Sequence, residues 1–207
     1  MSKHLLANLA AVGAALSAGA SVVATRLVVG ETDPVTLAFY RYVIAAVCMA
    51  PVLAFAWPRA RIPARDVAGI ALLGALFFGF FPWAFSAALE LTSAPRGAIG
   101  LATIPIQTLI VAALAGRETL TRPKIASVAL AFAGISVVFG PEAQAGGEPG
   151  ALVGDGLMLL AAFSAALYSV FGRPVFGRHG PLFVTGSAMV FGVLALLPLA
   201  AAGGALA

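Results

Sequence analysis

Charge is scarce in this chain. Only 10% of its 207 residues are Asp, Glu, Lys or Arg, while 61% are hydrophobic and the mean hydropathy is +1.04. A soluble domain averages about 25% charged residues. No soluble fold of this length needs so much apolar side chain, so most of it faces lipid or other buried helices. Cysteine occurs once, as Cys48 inside an apolar stretch, which excludes an internal disulfide and any Cys-based metal cluster. The two histidines, His4 and His179, lie near the ends of apolar stretches and make no metal-ligand pair. A Walker A loop, an HExxH run and a Ser-His-Asp constellation are all missing, so no enzyme chemistry, cofactor or metal is indicated.

The apolar residues fall into long runs. A helix crossing the hydrocarbon core needs about 20 of them, and that rule predicts seven spans, over 5–29, 35–57, 67–89, 95–116, 123–139, 152–172 and 181–202. The fold class is therefore all-α integral membrane. Breakers occupy the connectors: Pro34, Pro58, Pro63, Pro95, Pro123 and Pro181. The only lysines are Lys3 and Lys124, and neither is in the seventh span, which excludes a retinal Schiff base. The stretch from Leu5 to Val29 also allows a secretory-signal reading, with a small-residue site near Ala18-Gly19-Ala20. It is longer than the usual apolar region of about 7–15 residues.

The net charge of +4 reports topology rather than a nucleic-acid partner, because the basic residues sit in short loops. Lys3, Arg59, Arg61, Arg65, Arg117, Arg122, Lys124, Arg173 and Arg178 fall on one side. Glu31, Asp33, Glu90, Glu142, Glu148 and Asp155 fall on the other, with Arg26 and Arg96 near its boundary. The positive-inside bias then predicts a multi-pass protein of the cell inner membrane with a cytoplasmic N-terminus.

The chain also repeats itself. Ala14-Ala15-Leu16-Ser17-Ala18 lies over Ala161-Ala162-Phe163-Ser164-Ala165 at an offset of 147 residues, and Arg26/Arg173, Gly30/Gly177, Pro34/Pro181 and Pro51/Pro198 keep the same offset. Five spans separate the two starts. That number is odd, so the copies cross in opposite senses, an arrangement common among secondary transporters. The predicted domains are a first five-helix repeat over 1–140, a flexible linker over 141–151 in the Gly- and Pro-rich run GPEAQAGGEPG, and the first two helices of a second repeat over 152–207. The counterpart of the third span would begin at position 214, past Ala207, so the second half is expected to be incomplete, with the C-terminus outside.

Several runs carry a family resemblance: Pro34-Val-Thr-Leu-Ala-Phe-Tyr-Arg41 with the later Pro51, Ala88-Leu89-Glu90-Leu91-Thr92-Ser93-Ala94, Pro105, Gly116-Arg117-Glu118-Thr119-Leu120-Thr121, and Ala131-Phe-Ala-Gly134-Ile-Ser-Val-Val. In this order they resemble EamA-type permeases of the drug/metabolite transporter superfamily, with an extra Arg in the loop usually written G-E-x-L-T. The resemblance implies ten helices in two five-helix halves around a central substrate cavity. About seven are present here, so the chain reads as a C-terminally truncated member.

Six residues are candidates for a substrate pathway: Arg41, Gln107, Thr103, Trp83, Tyr168 and Ser17. Arg41 lies inside the second span, where a charge must pair, snorkel or line an aqueous cavity. Its two readings are an outward reach to Glu31, Asp33 or Glu90, and direct substrate contact. Arg96, Gly100, Thr103 and Gln107 share one face of the fourth span and form either a cavity wall or a helix–helix hydrogen-bonding seam closed at Gly100. Gly13, Ser17, Ser21 and Thr25 recur every four residues and read as a packing seam. Tyr168 follows Ser164 by one turn, and the resemblance places that helix beside the cavity. Trp83 belongs to an aromatic run whose indole N–H wants a partner. Pro105 and Pro82 are candidate kinks or hinges, and Glu118 is expected to order a loop with Arg117, Arg122 and Lys124.

The functional expectation is a permease passing a small polar or amphipathic metabolite, in export or uptake, by alternating access between two inverted halves. No acidic residue lies at mid-membrane, so facilitated diffusion or exchange fits more easily than a carboxylate proton relay. The alternative is a non-transporting fragment or interaction subunit of a split transporter. The lipid bilayer and a small-molecule substrate are the expected partners, and a homo-oligomer or a chain supplying the missing helices is left open.

Overall fold

The computed structural model describes residues 3–58, 61–145 and 149–203. Regular structure in them is helical throughout: α1 (Lys3–Val28), α2 (Pro34–Ala56), α3 (Ala64–Gly74), a π-helical segment (Ala75–Phe80), α4 (Phe81–Leu91), α5 (Ala94–Leu101), α6 (Ile104–Leu114), α7 (Arg122–Ala145), α8 (Ala151–His179) and α9 (Pro181–Ala202). Lipid offers no hydrogen bonds, so each spanning segment must satisfy its own backbone, and helices do so. Six helical stretches among the described residues are long and apolar enough to cross a bilayer. All seven stretches read from the sequence are helical, but α7, which covers the fifth, is not among those six. Helix α7 runs on to Ala145, across the first positions of the expected linker, and positions 146–148 of that linker lie outside the described residues. Arg59, Glu148 and the side chains of Lys3 and Glu142 also lie outside them.

Two spans are not uniform α-helix. In the third, the Phe81 N–H bonds to the Leu76 carbonyl, an i→i−5 bond, just before Pro82 opens α4. Proline lacks an N–H and its ring clashes with the preceding turn, and the wider π turn accommodates both. The fourth, expected as one helix over 95–116, divides at Ala102–Thr103 into α5 and α6. Pro105 stands in the first turn of α6, where its missing N–H leaves the Leu101 carbonyl without an i+4 donor. Both prolines therefore sit at irregular points of their spans.

The bundle has two unlike ends. At the acidic end α1, α4, α7 and α9 finish and α2, α5 and α8 begin; at the basic end the directions are reversed. Helix α8 is the central element, packed on α3, the π segment, α4, α5 and α6. Helix α9 packs on α2 and on the third span, while α1 lies at the side against α4 and α5. Ile70, Leu73, Phe78, Tyr168, Val175, Phe183, Val184 and Ala188 form one core cluster. Ala84, Phe85, Ala88, Leu89, Met158 and Ala161 form a second, nearer the acidic end.

Candidate functional site

Arg41 is the seventh residue after Pro34, about 10 Å along α2 from the acidic end at 1.5 Å per residue. Its guanidinium donates to the Ser21 hydroxyl at 2.7 Å and to Thr25 at 3.5 Å, both on α1, and lies 5.8 Å from the Tyr42 ring. Among the described residues no carboxylate reaches it, so the outward reach to Glu31, Asp33 or Glu90 is not adopted. The side chain stays exposed. The seam on α1 is used accordingly. Its Ser21 and Thr25 half accepts from Arg41, while Ser17 is exposed and nothing stands within 4 Å of where a Gly13 Cβ would be. Packing within the described chain therefore does not occupy the Gly13–Ser17 half.

The other two arginines of this end are committed. Arg26 donates to the Leu89 carbonyl at 2.6 Å, tying α1 to the end of α4. Arg96 forms an ion pair with Asp155, with its Nε 3.2 Å from Oδ1, and the buried Thr92 hydroxyl donates to the same oxygen at 3.0 Å. That group joins α5 to α8 at Asp155, the fifth residue of α8.

Below it, the polar stripe of the fourth span faces α8. The Thr103 hydroxyl donates to the Gly100 carbonyl at 2.6 Å. Gln107 donates to Thr103 at 2.9 Å and to the Leu159 carbonyl of α8 at 3.3 Å. A Cβ on Gly100 would stand 2.6 Å from Met158 Cγ, so glycine permits the approach. The stripe thus hydrogen-bonds along its own span and, through Gln107, across to α8.

Tyr168 is buried, with its ring stacked on Phe77 at 4.5 Å between centroids and edge-on to Phe78 and Phe176. Among the described residues its hydroxyl makes no hydrogen bond of ordinary geometry, with Thr185 the polar side chain beside it. Trp83 lines an apolar groove of about 380 Å³ with Gly79, Phe80, Leu196 and Leu199, between the third span and α9. The six pathway candidates are thus distributed over several contacts, with Gln107 and Thr103 joined to each other.

At the basic end the loop Gly116–Thr121 is anchored from both sides. Arg117 donates to the Val170 carbonyl at 2.6 Å and lies 4.9 Å from the Phe171 ring. Glu118 pairs with Lys124 and stands 4.0 Å from Arg173. Hydrogen bonding to Lys124, together with the charges of Lys124 and Arg173, holds its carboxyl below the ordinary value. Among the described residues Glu118 thus has Lys124 and Arg173 as its ionic neighbours rather than Arg122.

Sequence reasoning missed the tightest polar cluster. Asp66, buried in the first turn of α3, accepts from Arg178 Nε at 3.0 Å and Nη2 at 2.7 Å, and its Oδ2 lies 2.7 Å from His179 Nε2. This locks the start of α3 to the end of α8. The available signal was one carboxylate directly after Arg65 in an otherwise basic stretch.

These features define a multi-pass helical membrane protein with its charges confined to two ends and one arginine at membrane depth. The EamA-like transporter family matches residues 5–140, and the chain belongs to that family. It is similar to an uncharacterized transporter of Archaeoglobus fulgidus, 24% identical over 87% of this chain and 62% of the relative. It also resembles two uncharacterized transporters of Bacillus subtilis, YyaM (25% identical over 94% of this chain and 65% of the relative) and YcxC (29% identical over 77% and 51%). The chain thus spans less than two thirds of the length of these relatives. No solved structure matches it significantly.

Proposed function

We propose that this protein is an inner-membrane permease for a small polar or amphipathic metabolite, with its N-terminus cytoplasmic, working by alternating access between two inverted halves. The permease reading is supported by the family and by the 147-residue repeat. The orientation rests on the basic residues gathered at one end. The observation that carries the substrate class is Arg41. Arg26 is engaged by a backbone carbonyl and Arg96 by Asp155, whereas Arg41 holds its charge at membrane depth against two neutral hydroxyls. Such a charge is costly unless it serves a pathway or an ion. The proposed substrates therefore carry a carboxylate or another anionic group, received at the acidic end by Arg41 with Ser21 and Thr25.

The test is flux through the full chain in proteoliposomes, scored with labelled metabolites of both charge signs. An anionic solute should move faster than in protein-free vesicles, and Arg41→Gln should lower that flux about tenfold or more at equal incorporation, as loss of a charged hydrogen bond implies. Equal flux in the variant would remove Arg41 from the pathway. No protein-dependent flux of any solute would count against the permease reading itself.

A further inference from the structure

Helices α6 and α7 diverge toward the basic end. Helix α7 packs along α5 and only lightly on α6, while α6, beyond the break at Ala102–Thr103, packs on α8. The wedge between them is a cleft of about 660 Å³. Leu109 and Ala112 of α6 and Val128 of α7 furnish apolar walls, and Lys124, Arg173 and Glu118 stand at the basic-end mouth. Two cations share one carboxylate there. Arg173 is only 4.0 Å from Glu118 with its side chain 65% exposed, and Lys124 is 41% exposed, so positive charge is in surplus.

A cationic mouth over an apolar wedge between two spanning helices matches one kind of ligand. A free phosphate would use the cations and leave the wedge unfilled; a zwitterionic lipid would fill the wedge without answering the charge. We propose that the cleft binds one anionic phospholipid, its phosphate on Lys124 and Arg173 and an acyl chain between α6 and α7. Glu118 opposes the phosphate and sets the affinity. The site is separate from Arg41, at the other end of the bundle, and stands whether or not the transport reading does.

Native mass spectrometry of the full chain, titrated with phosphatidylglycerol and phosphatidylcholine of the same acyl chains, tests this. Phosphatidylglycerol should be retained in preference. At about fivefold per surface charge, the double variant Lys124→Gln/Arg173→Gln should bind it some twentyfold more weakly, and Glu118→Gln about fivefold more tightly. Leu109→Trp, which fills the wedge without altering charge, should weaken it as well. Equal retention of the two lipids, or unchanged binding in the double variant, would overturn the site. Unchanged binding in Leu109→Trp, or displacement of the lipid by glycerol phosphate, would overturn the placement of the chain. Glu118→Gln keeps the test decisive if the double variant fails to fold.

Discussion

The crossing of the third span over α9 brings backbone against backbone, and that makes its glycines measurable. A Cβ on Gly74 would stand 2.3 Å from the Ala188 carbonyl oxygen. A Cβ on Gly192 would stand 2.4 Å from Phe78 Cβ and 2.7 Å from its carbonyl carbon. Ordinary van der Waals contact begins at 3.4 Å, and neither obstacle is a flexible side-chain end that can swing away. Gly192→Ala must therefore open the crossing, and a gap of about 0.5–1 Å forfeits a quarter to a half of each contact's dispersion energy. Overpacking of this kind costs about 1–3 kcal/mol. Alanine is the better helix former by about 0.8–1.0 kcal/mol, so the net loss is about 1–2 kcal/mol, taking the upper part of the overpacking range. Lipid gives the separated helices no hydrophobic drive to close again.

The control is Gly156→Ala in α8, where nothing stands within 4 Å of the added Cβ. It gains helix propensity alone and should be stabilised by up to about 1 kcal/mol. Equilibrium unfolding in mixed detergent micelles measures both. The double variant Gly74→Ala/Gly192→Ala should lose less than the sum of its parts, because a crossing opened once admits both methyl groups. If Gly192→Ala and Gly156→Ala shift stability alike, the close crossing is refuted.

The remaining predictions concern the basic end. Glu118 has its carboxyl depressed below the ordinary 4.5, chiefly by the hydrogen bond from Lys124. A depressed carboxyl contributes stability that is fully present above its ordinary value and is lost as pH falls through its folded value. The Tm gap between wild type and Glu118→Gln should thus hold from neutrality down to about pH 4.5 and close below it; a gap that widens in acid would reverse the assignment. Asp66→Ala leaves Arg178 and His179 without their acceptor and should lower Tm at least as far as Gly192→Ala, whereas Arg178→Ala should lower it less because His179 still reaches Asp66. Trypsin should also cut after Arg178 faster in Asp66→Ala, and an unchanged Tm and cleavage rate would deny the lock.

What was legible in the chain followed from single-segment physics. Apolar runs long enough for a bilayer became helices, and Pro34 and Pro181 open theirs in the first turn, as a residue without an N–H should. Pro82 and Pro105 marked their spans as irregular, but not how. The π turn at Ala75–Phe80 and the break at Ala102–Thr103 also depend on which neighbour each half packs against. Spacing of four placed Gly13, Ser17, Ser21 and Thr25 on one face without saying what that face meets, which is Arg41 for half of it. Asp66 escaped because its partners are 112 and 113 residues away, and topology rules count basic residues.

The duplicated positions show why sequence equivalence does not carry role with it. Pro34 and Pro51 in α2 match Pro181 and Pro198 in α9, and the two helices start from opposite ends of the bundle, as copies crossing in opposite senses would. Arg26 and Arg173 likewise sit at opposite ends, Arg26 tying α1 to the Leu89 carbonyl and Arg173 directed from α8 toward Glu118. Ser17 and Ser164 then part company. Ser164 is buried and donates to the Ala161 carbonyl at 2.8 Å, because α8 is enclosed on several sides. Ser17 is exposed, because α1 lies at the side of the bundle, packed chiefly on α4 and α5. Positions at the 147-residue offset agree in residue type; the neighbours decide whether a hydroxyl closes on its own helix or remains available. On that argument Arg41 and the α1 face beside it, rather than the corresponding face of α8, are where the described bundle offers polar groups.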